Sequence, residues 1–158
     1  MAIRTIRVDD DEVLLKKSRE VTEITPKIRE LVSDMLETMY KAEGVGLAAV
    51  QVGVLKRIAV VDVSEEANSP IILINPVILE KSGSQTGNEG CLSVPGMRGC
   101  VTRANYVKVK AYDLDMKEQI IEGTELLARA LQHEIDHLDG VLYTTKVEGE
   151  LERVTGEE

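Results

Sequence analysis

The chain of 158 residues contains no tryptophan and no phenylalanine, and four tyrosines are its only aromatic side chains among Phe, Trp and Tyr. Its core must therefore be aliphatic. No apolar run reaches membrane-spanning length, which excludes a transmembrane helix as the organising feature. Positive charge is in short supply as well: 19 Lys and Arg face 28 Asp and Glu, for a formal charge of −9. That balance speaks for solubility and against a large nucleic-acid footprint, which needs clustered basic residues. Two cysteines, Cys91 and Cys100, are too few for a disulfide scaffold, so each is a ligand, a nucleophile or core. No basic-then-apolar leader opens the chain, because Met1 to Arg4 run into Asp9, Asp10, Asp11 and Glu12. The expectation is a cytoplasmic protein of one domain spanning 1–158, with an acidic tail from about 146 to 158.

Histidine is equally rare, and both copies fall in one hexapeptide, Gln132-His133-Glu134-Ile135-Asp136-His137. Residues four apart stack on one face of a helix, so the two imidazoles can converge on one ion. Glu134 sits beside that pair, where its carboxylate reaches a water on the ion without ligating it, the working arrangement of an H-E-x-x-H site. The apolar stripe of the same segment is accounted for by Leu127, Leu131, Ile135 and Leu138, so the histidines are not needed as core filler. Asp136 and Asp139 either orient an imidazole through its second nitrogen or are solvated carboxylates.

Two ligands do not hold a catalytic metal, and the third decides the kind of site. The extended H-E-x-x-H-x-x-G-x-x-H pattern keeps its glycine at Gly140 but has Tyr143 in place of the last histidine, so that reading fails. A downstream glutamate, as in thermolysin-like sites, would come from Glu148, Glu150, Glu152, Glu157 or Glu158, in a tail with little to hold it rigid. Cys91 stands out instead, in Asn88-Glu89-Gly90-Cys91-Leu92-Ser93, where Gly90 permits close approach of the backbone. Cys100 has no such setting and reads as core.

Around these motifs the chain reads as α+β. Thr25 caps and Pro26 opens a helix that runs to about Ala42, with Ile28, Leu31, Val32, Met35, Leu36 and Met39 at helical spacing and Gly44 as the stop. Only a weak helix or loop is readable from Glu12 to Lys17. Strands are expected over Ile58 to Val63, over Ile71 to Leu79 with Asn75-Pro76 as punctuation, over Val107 to Ala111, and briefly at Ile120-Ile121. Lys81 to Gly90 reads as a loop. The second helix starts after Gly123, with Thr124 as a possible cap, and stops near Gly140. Helices and strands do not alternate as βαβ units, and no internal repeat appears. Gly44-Val45-Gly46-Leu47-Ala48-Ala49 fits the dinucleotide fingerprint G-x-G-x-x-A formally, but a helix precedes it and strands follow, the reverse of what that motif needs. It reads either as a helix stop with a tight turn or, through the neighbouring amide of Gln51, as a donor directed at the metal.

Taken together, Gly44 to Gln51, Glu89-Gly90-Cys91-Leu92-Ser93 and Gln132 to His137 resemble peptide deformylase, over nearly the whole chain as far as Tyr143. Asn75-Pro76 and Arg98 also match the family pattern, whereas Val50, Met116 and Asp10 stand where proline, glycine and Pro-Asp are usual. The resemblance implies small, mostly antiparallel sheets packed around a central metal-binding helix, with an N-terminal helix. It also implies a hydrolase that removes the formyl group from the N-terminal formylmethionine of new polypeptides and releases formate. By the same resemblance Cys91, His133 and His137 hold a divalent ion, Fe²⁺ natively with Ni²⁺ or Zn²⁺ as alternatives, and Glu134 is the acid/base. Gln51 and the Leu92 N–H stabilise the oxyanion. Val45 and Gly90 pair with the extended peptide, flanked by Gly44 and Gly46, and Arg98 meets either substrate or a carboxylate such as Glu43. Nascent chains as substrates imply work near the ribosome, without direct RNA binding, by a monomer. Two other classes are separable by experiment: a general zinc peptidase, which would cleave internal peptide bonds, and an inert metal module, whose fourth ligand would have to be Cys100.

Overall fold

The computed structural model describes residues 2–8 and 11–153; Asp10, Glu157 and Glu158, named above, lie outside the described residues. Helix α1, Pro26–Lys41, begins as its sequence dictates. Thr25 Oγ1 accepts from the Ile28 N–H at 3.2 Å, Pro26 opens the first turn, and Ile28, Leu31, Val32, Met35 and Met39 are buried. Its end differs in one respect from the expectation. Glu43, not Gly44, takes the left-handed position (φ 59°), with Glu43 N–H donating to Tyr40 O at 3.0 Å and Gly44 N–H to Met39 O at 2.9 Å. Gly44 is small for another reason: a Cβ there would lie 2.8 Å from Leu92 Cδ1.

Among the described residues eight strands follow in two sheets. Strands β1 (Gly46–Ala48), β2 (Ile58–Val61), β3 (Ile71–Ser82), β6 (Tyr106–Tyr112) and β7 (Glu118–Thr124) form one sheet in the order β1-β2-β3-β6-β7, and every named pair is antiparallel. Strands β4 (Gln85–Cys91), β5 (Val94–Arg103) and β8 (Glu152–Arg153) form the second. The stretch Lys81 to Gly90, expected as a loop, is largely strand. β4 pairs with β5 from Gln85↔Arg103 to Glu89↔Gly99, and this cross-strand ladder, not apolar periodicity, holds a sequence of Gln, Thr, Gly, Asn and Glu extended. Asn75-Pro76 does punctuate β3, as a break in register between Ile74 and Val77, but does not end it. Asn75 adopts φ 52° in a bulge that the strand passes through, and its side chain both accepts from Val21 N–H and donates to Val21 O at 2.8 Å. Met116, at a place where the family pattern has glycine, also takes a left-handed conformation (φ 57°).

Helix α2, Glu125–Leu138, crosses one face of the larger sheet while α1 covers part of the other. β2 shows how the core is divided: Ala59 and Val61 point to the α2 side with Ala128, Leu131, Ile135 and Leu138, whereas Ile58 and Val60 point to the α1 side with Val32, Met35 and Met39. The buried residues of both layers are aliphatic or methionine, as the missing Phe and Trp require, and Tyr40 and Tyr112, partly buried, pack against the α1 side. Thr124 occupies the N-cap position of α2 without a side-chain capping bond. Gly140 (φ 77°) ends the helix, donating to His137 O at 3.0 Å while Val141 N–H donates to Asp136 O at 2.9 Å. The tail is better anchored than its composition suggests: Met97↔Arg153 and Arg98↔Glu152 join β8 to β5. Among the described residues no helix is long and apolar enough to cross a membrane.

Candidate metal centre

α2 is buried on all sides over Ala128 to Ile135, which turns its polar residues toward one another inside the protein. His133 and His137 are 8% and 0% exposed. Their stacking one turn apart brings His133 Nε2 to 3.2 Å from His137 Nε2, and the same His137 nitrogen lies 3.2 Å from Cys91 Sγ. Cys91 arrives at the end of β4, just before the two-residue turn Leu92-Ser93 that returns the chain into β5. All three donor atoms lie within 4.8 Å of one another. Two nitrogens bound tetrahedrally at about 2.1 Å would be roughly 3.4 Å apart, so this spacing suits one ion at their centre. A thiolate with two imidazoles also suits the borderline divalent metals. Cys100 stands outside this group.

Glu134 is 4% exposed, and its Oε1 has no hydrogen-bond partner among the described residues. Burial pushes its carboxyl up to about 7; the His133 charge opposes that shift and the Glu89 charge adds to it. A carboxyl poised there can both take and return a proton near neutral pH. Burial lowers His137 well below the usual imidazole value, and the charge on His133 lowers it further. His133 is shifted the other way, because hydrogen bonds to Cys91 and Glu89 outweigh its burial.

Gln51 is 1% exposed and held at three points. Its Oε1 accepts from the Ala48 N–H at 2.9 Å, which fixes the flip of the amide, while Nε2 donates to Ser93 Oγ at 3.0 Å and lies 3.5 Å from Cys91 Sγ. Leu92, Gly44, Val45, Gly46, Gly90, Gln51, Cys91, His133 and Glu134 all line a single cleft of about 320 Å³. Leu126, Arg129 and Ala130 also line it, whereas His137, fully buried, is not part of the lining. The Val45 carbonyl is already committed to the Asp62 N–H at 2.8 Å.

The structure places other residues differently from the expectations. Arg98 is outside the cleft lining, 49% exposed in its side chain, and its partner is Glu152 at 3.5 Å, not Glu43. Asp136 does not orient an imidazole: it accepts from Arg103 Nη1 at 2.8 Å and has Lys146 Nζ at 3.6 Å. Asp139 pairs with Arg57 at 3.0 Å. The group that does meet a histidine is Glu89, whose Oε1 lies 2.9 Å from His133 Nδ1, leaving Nε2 for the metal side. Burial would raise Glu89, but hydrogen bonds from His133 and Arg103 hold it at about 2. Glu89, Arg103 and Arg129 form a buried network that the sequence reading missed. One signal was available: Arg129 precedes His133 by four residues and so shares its helix face.

The profile of the family described as polypeptide deformylase matches residues 3–152. A peptide deformylase of Lachnoclostridium phytofermentans is 63% identical over 155 residues, covering 98% of this chain and 95% of that protein. One of Agathobacter rectalis is 64% identical over 158 residues, covering 100% and 98%. A crystal structure of a peptide deformylase from Legionella pneumophila matches with a TM-score of 0.90 at 43% identity, over 92% of this chain and 86% of that one.

Proposed function

From the premise that this chain belongs to the polypeptide deformylase family, hydrolases that remove the N-formyl group from nascent polypeptides, we propose how its own residues carry out that reaction. The observation that carries the proposal is the convergence of Cys91, His133 and His137 beside Glu134 in the cleft that Gln51 and Leu92 also line. These three donors would hold one divalent ion, which when bound acidifies a water and polarises the formyl oxygen. The ligand set fits several metals; the family pattern favours Fe²⁺, with Ni²⁺ or Zn²⁺ as substitutes.

Glu134 accepts the proton of the attacking water and returns it to the leaving amine, a role that a carboxyl near pKa 7 can fill in both directions. Gln51 keeps one Nε2 proton on Ser93 Oγ and, with its amide oriented by Ala48, turns the other from the Cys91 sulfur to the oxygen on which charge develops. The Leu92 N–H, in the tight turn after Cys91, supplies the second donor; one such donor is typically worth about 10²–10³ in rate. Backbone groups at Val45 and Gly90, which both line the cleft, receive the extended peptide as an added strand, with Gly44 and Gly46 flanking Val45. Leu126, Ala130 and the Arg129 stem offer an apolar surface to the methionine side chain. We read residues 1–158 as one catalytic domain, monomeric and cytoplasmic, acting close to the ribosome without binding RNA.

The test is formate release from a formyl-Met tripeptide. Glu134→Ala is expected to keep a full complement of metal and lose at least a hundredfold in kcat. An active Glu134→Ala protein would overturn the acid/base assignment. Cleavage of an internal bond in place of formate release would instead indicate a peptidase.

A further inference from the structure

The three metal donors come from two separate pieces of the fold. His133 and His137 ride on α2, and Cys91 rides on the β4–β5 hairpin. Something must hold these pieces at a fixed distance, and Glu89, two residues before Cys91, is where they meet. Its carboxylate is 4% exposed and fully occupied. Oε1 takes His133 Nδ1 and, at 3.0 Å, Arg103 Nη2; Oε2 takes Arg103 Nε and, at 2.6 Å, Arg129 Nη1.

The two arginines are not equivalent. Arg103 lies on β5, so its fork onto Glu89 is internal to the hairpin. Arg129 lies on α2 one turn before His133, and both side chains reach the same carboxylate from the same helix face. It also grips both strands directly, donating to the Val101 carbonyl on β5 at 3.2 Å and to Gln85 Oε1 on β4 at 3.3 Å. A guanidinium with a rigid fork of donors can do this, whereas a single ammonium cannot. Removing it would leave Oε2 with Arg103 alone and would leave one more carboxylate than guanidinium in a buried network where Glu89 and Asp136 are now matched by Arg103 and Arg129.

We propose that Arg129 is a positioning residue of the metal centre: it clamps Glu89 to α2, keeps Cys91 within reach of His133 and His137, and thereby sets how tightly the ion is retained. The clamp rests on the ligand set proposed above. The experiment uses Co²⁺ as probe, reading affinity by chelator competition and Cys91 ligation by thiolate-to-cobalt absorption. Arg129→Met, which keeps the stem and removes the donors, is expected to weaken Co²⁺ binding 10–100-fold, and Arg129→Lys to fall between it and the unsubstituted protein. Glu89→Gln is expected to weaken binding comparably. Because the clamp acts largely through that carboxylate, with the Val101 and Gln85 contacts adding to it, the double variant Arg129→Met with Glu89→Gln loses clearly less than the product of the two single losses. If the methionine variant fails to fold without metal, the lysine variant is put through the same cycle. Unchanged Co²⁺ affinity, or losses that multiply in the double variant, would overturn the clamp. Absence of the thiolate absorption in the unsubstituted protein, or full affinity in Cys91→Ser, would overturn the ligand set itself.

Discussion

Gly46 is the residue through which β1 meets the Glu134 carboxylate, and Gly46→Ala is the most local way to test the acid/base role proposed for it. A Cβ on Gly46 would sit against the Glu134 carboxylate, 2.9 Å from its Cδ and 3.0 Å from its Cγ. Carbon atoms in contact normally stay about 3.5–4.0 Å apart, so one partner must yield by roughly half an ångström to one ångström. The β1 backbone is pinned by its pairing with β2, Gly46↔Val61 and Leu47↔Val60, and Glu134 borders the open cleft, so the carboxylate is the part that moves. A misplacement of about 1 Å at a reacting group costs on the order of 10²-fold, and the ceiling for losing the acid/base altogether is about 10²–10⁴-fold. We therefore expect kcat for formate release to fall about a hundredfold, at unchanged metal content by elemental analysis. Overpacking of this kind also destabilises by about 1–3 kcal/mol, or roughly 2–12 °C in Tm for a chain of this size, so the assay belongs well below the transition. A kcat within threefold of the unsubstituted protein, with metal intact, would refute the reasoning. So would a double variant with Glu134→Ala that is much slower than Glu134→Ala alone, because the glycine would then be acting on something other than the carboxylate.

Two further outcomes follow from contacts near the cleft. Gln51→Leu removes an oxyanion donor while keeping the side chain's bulk, and is expected to lower kcat about 10²–10³-fold with little change in KM; a variant that altered KM alone would show that the amide merely binds substrate. Asp62 accepts from Tyr40 Oη at 2.6 Å, from both the N–H and the hydroxyl of Ser64, and from Ser69 N–H. Burial would raise this carboxyl, but those hydrogen bonds, led by Ser64 and Tyr40, hold it below the usual carboxylate value. A lowered folded-state pKa contributes stability that is present above the unfolded pKa of about 3.9 and is lost as pH falls through the folded one. Denaturant melts of Asp62→Ala should thus show a deficit that is full at pH 7 and shrinks below about pH 4, and a deficit of the same size at both would contradict this account.

How far the fold could be read depended on where each element finds its partners. Thr25-Pro26 and the spacing of Ile28, Leu31, Val32, Met35 and Met39 are local signals, and α1 starts where they say. β4 carries no such signal. Gln85 to Gly90 becomes strand because β5 pairs with it and because Arg129, some forty residues later, takes the Gln85 side chain and approaches the Gly87 carbonyl. Asn75 is a similar case: its bulge is held by Val21, 54 positions away, so a dipeptide that locally resembles a break lies inside a continuous strand. Glu43 at φ 59° shows the same limit at a helix end, since Gly44 was the better local candidate for that conformation but is small because of Leu92.

The candidate metal donors were legible and their supports were not, and the difference is one of residue type. Histidine occurs twice and cysteine twice, so the candidates were few, and Gly90 beside Cys91 set it apart from Cys100. Glutamate and arginine are common, and a charged residue in a sequence reads by default as solvated; only pairing makes burial affordable, and pairing is not visible along the chain. Pairing also constrains the reaction. Glu89 and Asp136 are matched by Arg103 and Arg129, with Lys146 Nζ a further 3.6 Å from Asp136 toward solvent, so each carboxylate beside the donors has a cationic partner. Beside that network a divalent ion held as proposed would be balanced by the Cys91 thiolate and by the Glu134 carboxylate. In the proposed reaction Glu134 takes the proton of the attacking water, so the negative charge would pass to the oxygen with the total unchanged. Proton transfer in this cleft therefore moves charge over a short distance without creating any, which is the least costly form it can take in a buried site.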